Sequence, residues 1–271
     1  EFGLIKDKIA GMLARTYALE SMTYLTTGLL DAGVPDYSLE SAICKVYGSE
    51  TAWWVVNETL QIAAGTGYMA EYPYERILRD SRINLIFEGT NEILRCFIAL
   101  SGLAGPGREL SEVSRAMREP IKGFGLLVDY AVKFARNRIA PGRLTRAHPV
   151  LSRETVLIEE YTAHLAGHVG NLLRKHGRDI ALMQFAQRRV ADVAIDLFAL
   201  SACVSRTTAA IESRGEEAAR EEIDYTRIFA VEARRRLECN VVGFEANDDE
   251  VRKGAAVRSY ELGSYPFDIM G

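Results

Sequence analysis

Residues 61–95 read QIAAGTGYMAEYPYERILRDSRINLIFEGTNEILR, and the spacing of glycines and apolar residues in this stretch indicates the fold most clearly. Gly65-Thr-Gly67 is predicted to end a helix, since glycine favours the turn that follows a helix C-terminus. A short helical turn is predicted over residues 74–80. An apolar segment then follows and is broken at Gly89, directly before a new helix. The stretch therefore predicts helices joined by short loops.

Two features of this stretch suit chemistry. The glycine turn leaves bare backbone amides that can approach a phosphate, although a glycine pair after a helix is more often only a cap. Glu88 follows the apolar residues Leu85, Ile86 and Phe87, where a carboxylate can have a raised pKa and act as a base. A Glu at a helix start is more often a partner of the helix dipole. Both alternatives stay open on these residues alone.

The residues before this stretch predict two long helices. Residues 3–31 carry an apolar period near 3.6, which predicts an amphipathic helix. Residues 31–36 contain Gly and Pro and are predicted to turn. A second helix follows, with Ser38 or Ser41 as its N-cap, and it extends to the glycine turn.

The remainder of the chain is also predicted to be helical. Residues 104–107 read Ala-Gly-Pro-Gly and are predicted to link an N-terminal region, residues 1–103, to a C-terminal region, residues 108–271. The C-terminal region contains several helix candidates, among them Ile121–Ile139. No segment alternates convincingly as a strand would, so the predicted fold is all-α, with one helical bundle followed by an appended helical domain.

Composition excludes several classes of protein. The chain has 271 residues, with 33 Lys and Arg against 37 Asp and Glu. This net charge of −4 argues against nucleic acid binding, which calls for an excess of positive charge. The four cysteines form no CxxC pair and are predicted to be reduced thiols, and no metal site is predicted. Because the chain opens at Glu1-Phe2-Gly3 without Met, we expect it to begin inside a larger protein.

The order and spacing of these motifs resemble the acyl-CoA dehydrogenase family. The segments Gln61–Asp80 and Ile86–Arg95 resemble two signatures of that family. The resemblance covers residues 1–103 and implies its C-terminal helical domain. Residues 108–271 resemble the extra helical domain of the very-long-chain branch. The sequence of residues 72–80 is most similar to that of a family member associated with respiratory complex I assembly.

The resemblance implies roles for single residues. Glu88 matches the catalytic base that removes the α-proton of an acyl thioester while the β-hydrogen leaves as hydride to the flavin. Phe87 and Gly89 would contact the substrate. The positions that match cofactor contacts to FAD are Thr90, Asn91 and Glu92 at a helix start, and Gln61, Gly65 and Gly67 reaching from a neighbouring subunit. Ala64 departs from the family, which has two adjacent glycines here, and its methyl group would crowd the dinucleotide.

The resemblance also implies partners and a location. The substrate would be a long-chain fatty acyl-CoA in β-oxidation, and the electron acceptor an electron-transferring flavoprotein. A homo-oligomer, a dimer in this branch, and a peripheral membrane contact are expected, in a bacterial cytoplasm or on the mitochondrial matrix side. The chain alone is expected to be inactive. The alternative is an assembly or interaction protein built on this fold with vestigial catalysis.

Overall fold

The computed structural model describes residues 2–118 and 144–267, and the regular elements in these ranges are helices and short 3-10 turns. The predicted all-α fold is confirmed. The helices of the described ranges are α1 (Gly3–Asp31), α2 (Ser38–Tyr68), α3 (Tyr74–Ser81), α4 (Asn91–Arg118), α5 (Ser152–His176), α6 (Gln184–Arg214), α7 (Arg220–Gly243) and α8 (Asp249–Leu262).

Helix α1 has the predicted bounds because its apolar period is regular. Gly11, Ala14, Ala18 and Met22 are buried at intervals of three or four residues, which places them on one face. Three of these four side chains are small or absent, so neighbouring helices can approach α1 closely. A Cβ at Gly11 would lie 3.2 Å from the Trp54 ring of α2.

Helix α6 lies at the centre of the molecule and packs against α1, α4, α5 and α7. Leu200 and Cys203 on this helix have no exposed surface. By length and composition α6 is apolar enough to cross a membrane, but 61% of its most apolar window is buried inside the fold. Core packing therefore accounts for its apolar composition.

One core joins the N-terminal and C-terminal regions. The Phe229 ring of α7 is fully buried and meets the Tyr47 ring of α2 edge-on, with ring centroids 6.1 Å apart. The Tyr17 hydroxyl of α1 lies 2.8 Å from the Thr207 hydroxyl of α6. The contacts therefore cross the predicted boundary at residues 104–107.

Helix α4 also differs from the prediction at that boundary. The linker predicted at residues 104–107 would end this helix near Leu103, but the helix continues through those residues to Arg118. The N-terminal and C-terminal regions share one hydrophobic core. Their division into two domains stays a prediction. The predicted helix Ile121–Ile139 lies outside the described residues.

Candidate functional site

A strained loop carries the predicted base. The Glu88 loop, residues 86–90, joins a 3-10 turn, Arg82–Leu85, to α4. Glu88 has a φ of 55° and Gly89 a φ of 92°, so two successive residues lie in the left-handed region. For Glu88 this conformation costs about 1–3 kcal/mol, and such outliers cluster at functional sites.

Glu88 lines an open cleft of about 650 Å³. The turn before α2, residues 35–38, lines it together with Lys45 of α2 and with Leu94 and Phe97 of α4. Polar and apolar groups therefore meet around one carboxylate, and this combination is typical of a small-molecule site.

The turn that lines this cleft is closed by a cap that the sequence analysis missed. The Asp36 carboxylate accepts hydrogen bonds from the Ser38 backbone N–H at 3.0 Å and from its hydroxyl at 2.7 Å. These hydrogen bonds hold the pKa of Asp36 below its usual range. The prediction of Ser38 or Ser41 as the cap was wrong, because no capping hydrogen bond comes from either side chain and Asp36 accepts from the first turn of α2.

Apolar side chains beside Glu88 are exposed. Glu88 itself is exposed, and Ile86, Phe87 and Ile93 keep 47%, 49% and 60% of their surface accessible. The water-poor surroundings expected for the base are therefore not formed within the described ranges 2–118 and 144–267. An exposed apolar surface of this kind is typical of an interface.

Lys45 holds the Glu88 loop from α2. Its ammonium donates to the Gly89 carbonyl oxygen at 2.8 Å and to the Asn91 side-chain oxygen at 2.8 Å. Burial lowers the pKa of Lys45 against the opposing effect of nearby carboxylates, Glu88 among them. Lys45 is not predicted from the sequence, although a lysine between the buried positions Ile43 and Val46 of an apolar helix face was an available signal.

The predicted cofactor residues at the start of α4 are engaged within the chain. Thr90 accepts a hydrogen bond from the Ile93 backbone N–H at 3.4 Å. The Asn91 side chain is 2% exposed and its amide donates to the Ser49 hydroxyl at 2.9 Å. Hydrogen bonds from its own backbone N–H and from Thr90 hold the pKa of Glu92 below its usual range. Any approach of a ligand to Asn91 must therefore use its backbone.

An arginine joins the site to the C-terminal region. The Arg95 guanidinium donates to both Glu50 carboxylate oxygens, at 2.6 and 2.9 Å, and to the Asp192 carboxylate of α6 at 2.6 Å. A bidentate pair of this kind fixes geometry as well as charge. The sequence analysis missed this cluster because Asp192 is far from Glu50 and Arg95 in the chain.

The remaining predicted cofactor residues lie at the other end of α2. Gln61 is exposed. It lies about 24 Å from Lys45 along α2, because each helical residue adds about 1.5 Å of length. A Cβ at Gly65 would meet nothing within 4 Å, whereas a Cβ at Gly67 would lie 2.3 Å from the Leu60 carbonyl oxygen. The structure therefore brings Glu88, Gly89 and Lys45 together but does not bring Gln61 and Gly65 to the same cleft.

Helix α2 is kinked at Ala64. This residue has a φ of 51° and a ψ of −129°, a conformation that favours glycine. The sequence departs from the family pattern at this position, and the backbone there keeps a glycine-like conformation. Ala64 therefore stores strain directly beside Gly65.

Ala64→Gly is expected to raise the free energy of unfolding by about 1 kcal/mol, because glycine removes the strain of a positive φ. The neighbouring Ala63→Gly should lower it by about 1 kcal/mol, since Ala63 is helical. Urea denaturation of the 271-residue chain, followed by circular dichroism, measures both changes. An equal decrease in the free energy of unfolding of the two variants would show that Ala64 is not strained.

Two family models match the chain. The model described as acyl-CoA dehydrogenase, C-terminal domain, matches residues 1–103, and the model described as ACAD9/ACADV, C-terminal domain, matches residues 149–257. The first match includes the Glu88 loop and both ends of α2. The second includes Asp192 and the helices that pack behind the loop.

Whole-length relatives are similar to the chain over most of its residues. The mitochondrial very long-chain specific acyl-CoA dehydrogenase of Rattus norvegicus is 38% identical over 92% of this chain and 38% of its own length. The human protein of the same name is 40% identical over 87% of this chain and 36% of its own length. A probable acyl-CoA dehydrogenase of Bacillus subtilis is 31% identical over 88% of this chain and 41% of its own. The chain thus spans about two fifths of these relatives.

A solved structure has a similar fold. The crystal structure of an acyl-CoA dehydrogenase complexed with FAD from Bacillus anthracis superposes with a TM-score of 0.73 at 29% identity. The match covers 99% of this chain and 47% of that one.

Proposed function

Because the chain belongs to the acyl-CoA dehydrogenase family and matches its very-long-chain branch, we propose that it is the C-terminal part of an FAD-dependent dehydrogenase of long-chain fatty acyl-CoA. The reaction would be the α,β-dehydrogenation of fatty acid β-oxidation. The observation that carries the proposal is Glu88, held in a left-handed conformation on the rim of a cleft.

Glu88 is the proposed base. Its carboxylate would take the α-proton of the thioester, and the Glu88 backbone N–H would donate to the thioester carbonyl oxygen. Within the described residues, no backbone hydrogen bond uses that N–H, so it is available as a donor. A donor aimed at the developing negative charge stabilises an enolate-like transition state. Gly89 and Phe87 would contact the acyl group.

A dry site needs more surface than the described residues supply. Glu88 and the apolar side chains around it are exposed, and a carboxylate in water is too weak a base for this proton. We propose that the rest of the protein and the acyl chain cover the apolar side chains Ile86, Phe87 and Ile93. The length of the relatives, of which this chain spans about two fifths, supports this view.

The residues present fit FAD at two separate places. Gln61 is exposed and the backbone at Gly65 has no neighbour within 4 Å of a Cβ, so a dinucleotide could approach both residues. Gly67 lets the backbone pass close to the Leu60 carbonyl oxygen of α2, where a side chain would clash. At the start of α4, FAD would contact the backbone of Asn91, and Thr90 and Glu92 would exchange their present hydrogen bonds for contacts with the cofactor. When bound, FAD would supply the acceptor for the hydride that leaves the β-carbon.

The separation of these two places supports an oligomer. Gln61 and Gly65 lie about 24 Å or more from the Glu88 cleft along α2, so we propose that they reach the FAD of a second subunit. A homodimer would then hold two such shared sites. Electron transfer to an electron-transferring flavoprotein and a peripheral membrane contact are proposed on family membership alone.

The location is proposed on the same ground. The relatives' names place them in mitochondria, and others are bacterial, which supports an intracellular protein of the bacterial cytoplasm or the mitochondrial matrix side.

The 271-residue chain alone is expected to bind no stoichiometric FAD, because each of the two proposed FAD-binding places would hold only part of the cofactor. The purified chain would be mixed with FAD, desalted, and its flavin absorbance compared with its protein concentration. A yellow chain with one flavin per monomer would contradict this prediction.

The proposed function is tested in the complete FAD-loaded protein. Acyl-CoA of graded chain length is added without oxygen, and the loss of flavin absorbance is followed. Reduction that depends on the Glu88 carboxylate supports the dehydrogenase. If no chain length reduces the flavin, the protein is better described as an assembly or interaction protein on this fold.

A further inference from the structure

We infer that Asp192 of α6 is a positioning residue for the Glu88 loop, an inference that rests on the proposed function of Glu88 as the base. Asp192 lies in the C-terminal region, on a helix that contributes no residue to the lining of the Glu88 cleft. It acts through Arg95, which Glu50 also binds.

The first step is the clamp on Arg95. Asp192 accepts from Arg95 Nε at 2.6 Å, while both terminal nitrogens of Arg95 donate to Glu50. The side chains of Arg95 and Asp192 keep only 17% and 24% of their surface accessible. Partial burial strengthens the Arg95–Asp192 hydrogen bond relative to exposed pairs, whereas the Glu50 side chain is 41% accessible.

The second step leads from Glu50 to the loop. Glu50 accepts from the Asn91 amide at 3.2 Å, and the Asn91 oxygen accepts from the Lys45 ammonium at 2.8 Å. Lys45 also donates to the Gly89 carbonyl oxygen at 2.8 Å. A continuous chain of hydrogen bonds therefore runs from Asp192 to the residue next to Glu88.

The loop needs such support because its backbone is strained. Glu88 and Gly89 both have a positive φ, and a non-glycine residue keeps this conformation only when its surroundings impose it. Without the Asp192 charge, the Arg95–Glu50 pair loses its link to α6, and the pair can shift as a unit because 41% of the Glu50 side chain is accessible. The chain from Glu50 to Gly89 would then lose its fixed end.

Asp196, one turn further along α6, provides a matched control. It forms a similar pair with Arg236 of α7, at 2.7 Å, and its side chain is more buried than that of Asp192, with 5% accessible. The described residues show no hydrogen bond from this pair to the Glu88 loop. Asp196→Asn should therefore destabilise the fold at least as much as Asp192→Asn without moving Glu88.

The test compares these variants in the complete FAD-loaded protein. Asp192→Asn should lower the limiting rate of flavin reduction by palmitoyl-CoA between about tenfold and 100-fold, as small misplacements of reacting groups do. The palmitoyl-CoA concentration that gives half the limiting rate should stay the same. Asp192→Glu, which keeps the charge, should recover most of the rate, and Asp196→Asn should keep it. A normal rate in Asp192→Asn, or an equal loss in Asp196→Asn, would overturn the inference.

Amide hydrogen exchange separates this inference from the proposed function. Asp192→Asn should speed exchange in peptides covering residues 83–95, and Asp196→Asn should not. If no acyl-CoA of any chain length tried reduces the wild-type flavin, the proposed function fails, while exchange still reports whether Asp192 holds the loop. Unchanged exchange in Asp192→Asn would then refute the positioning role by itself.

Discussion

Glu88→Gln is expected to slow acyl-CoA reduction of the bound flavin by roughly 10²- to 10⁴-fold, the usual contribution of a general base. Glutamine keeps the size of the side chain and can still occupy the cleft, but it cannot take a proton. The FAD content should not change, because no proposed FAD contact involves the Glu88 carboxylate. Stopped-flow absorbance of the complete protein under anaerobic conditions measures the rate.

Glu75→Gln is the control for this variant. Glu75 lies on α3, pairs with Arg79 at 3.3 Å and does not line the cleft. Its replacement should leave the rate of reduction unchanged. Wild-type protein that bleaches no faster than Glu88→Gln, with every chain length tried, would show that this carboxylate is not the base.

Phe229→Ala is expected to lower the free energy of unfolding by about 3–5 kcal/mol, because it leaves a cavity in a core that has no accessible surface at this position. Its ring packs against Tyr47 across the predicted domain boundary. The two tryptophans of the chain, Trp53 and Trp54, both lie in α2. Their fluorescence therefore reports the N-terminal region while the substitution lies in the C-terminal region.

Phe229→Ala should lower the urea midpoint of unfolding by the same amount whether unfolding is followed by tryptophan fluorescence or by the helical signal in circular dichroism. Val231→Ala, on the same helix but 55% exposed, should change the free energy of unfolding by less than about 0.5 kcal/mol. A tryptophan transition that stays in place in Phe229→Ala would show that the two regions unfold independently.

Local patterns predicted the helices well and their packing poorly. The apolar period of α1 places it correctly at residues 3–31, because burial on one face repeats with the helical turn. The glycines and proline of residues 104–107 predicted a break, yet α4 continues through them. No sequence pattern pairs Tyr47 with Phe229, because that contact depends on how α2 and α7 are brought together.

The candidate site divides in the same way. Glu88 is predicted as the base from its motif, a carboxylate beside a glycine at the start of a helix. The residues that support its loop are not predicted, because Lys45 contacts Gly89 and Asp192 contacts Arg95 only through the packing of α2 and α6 on α4. The role of Asn91 also needed the structure, which shows its side chain buried among protein partners.

Helix α6 has a consequence for how the protein is made. Its shielding comes in part from α1, which leaves the ribosome before it, and in part from α7, which leaves after it. Until α7 has been synthesised, a helix as apolar as a membrane span is only partly covered, and chaperones or a nearby bilayer compete for it. A premature stop codon between α6 and α7 would therefore yield an aggregating chain rather than a shortened enzyme.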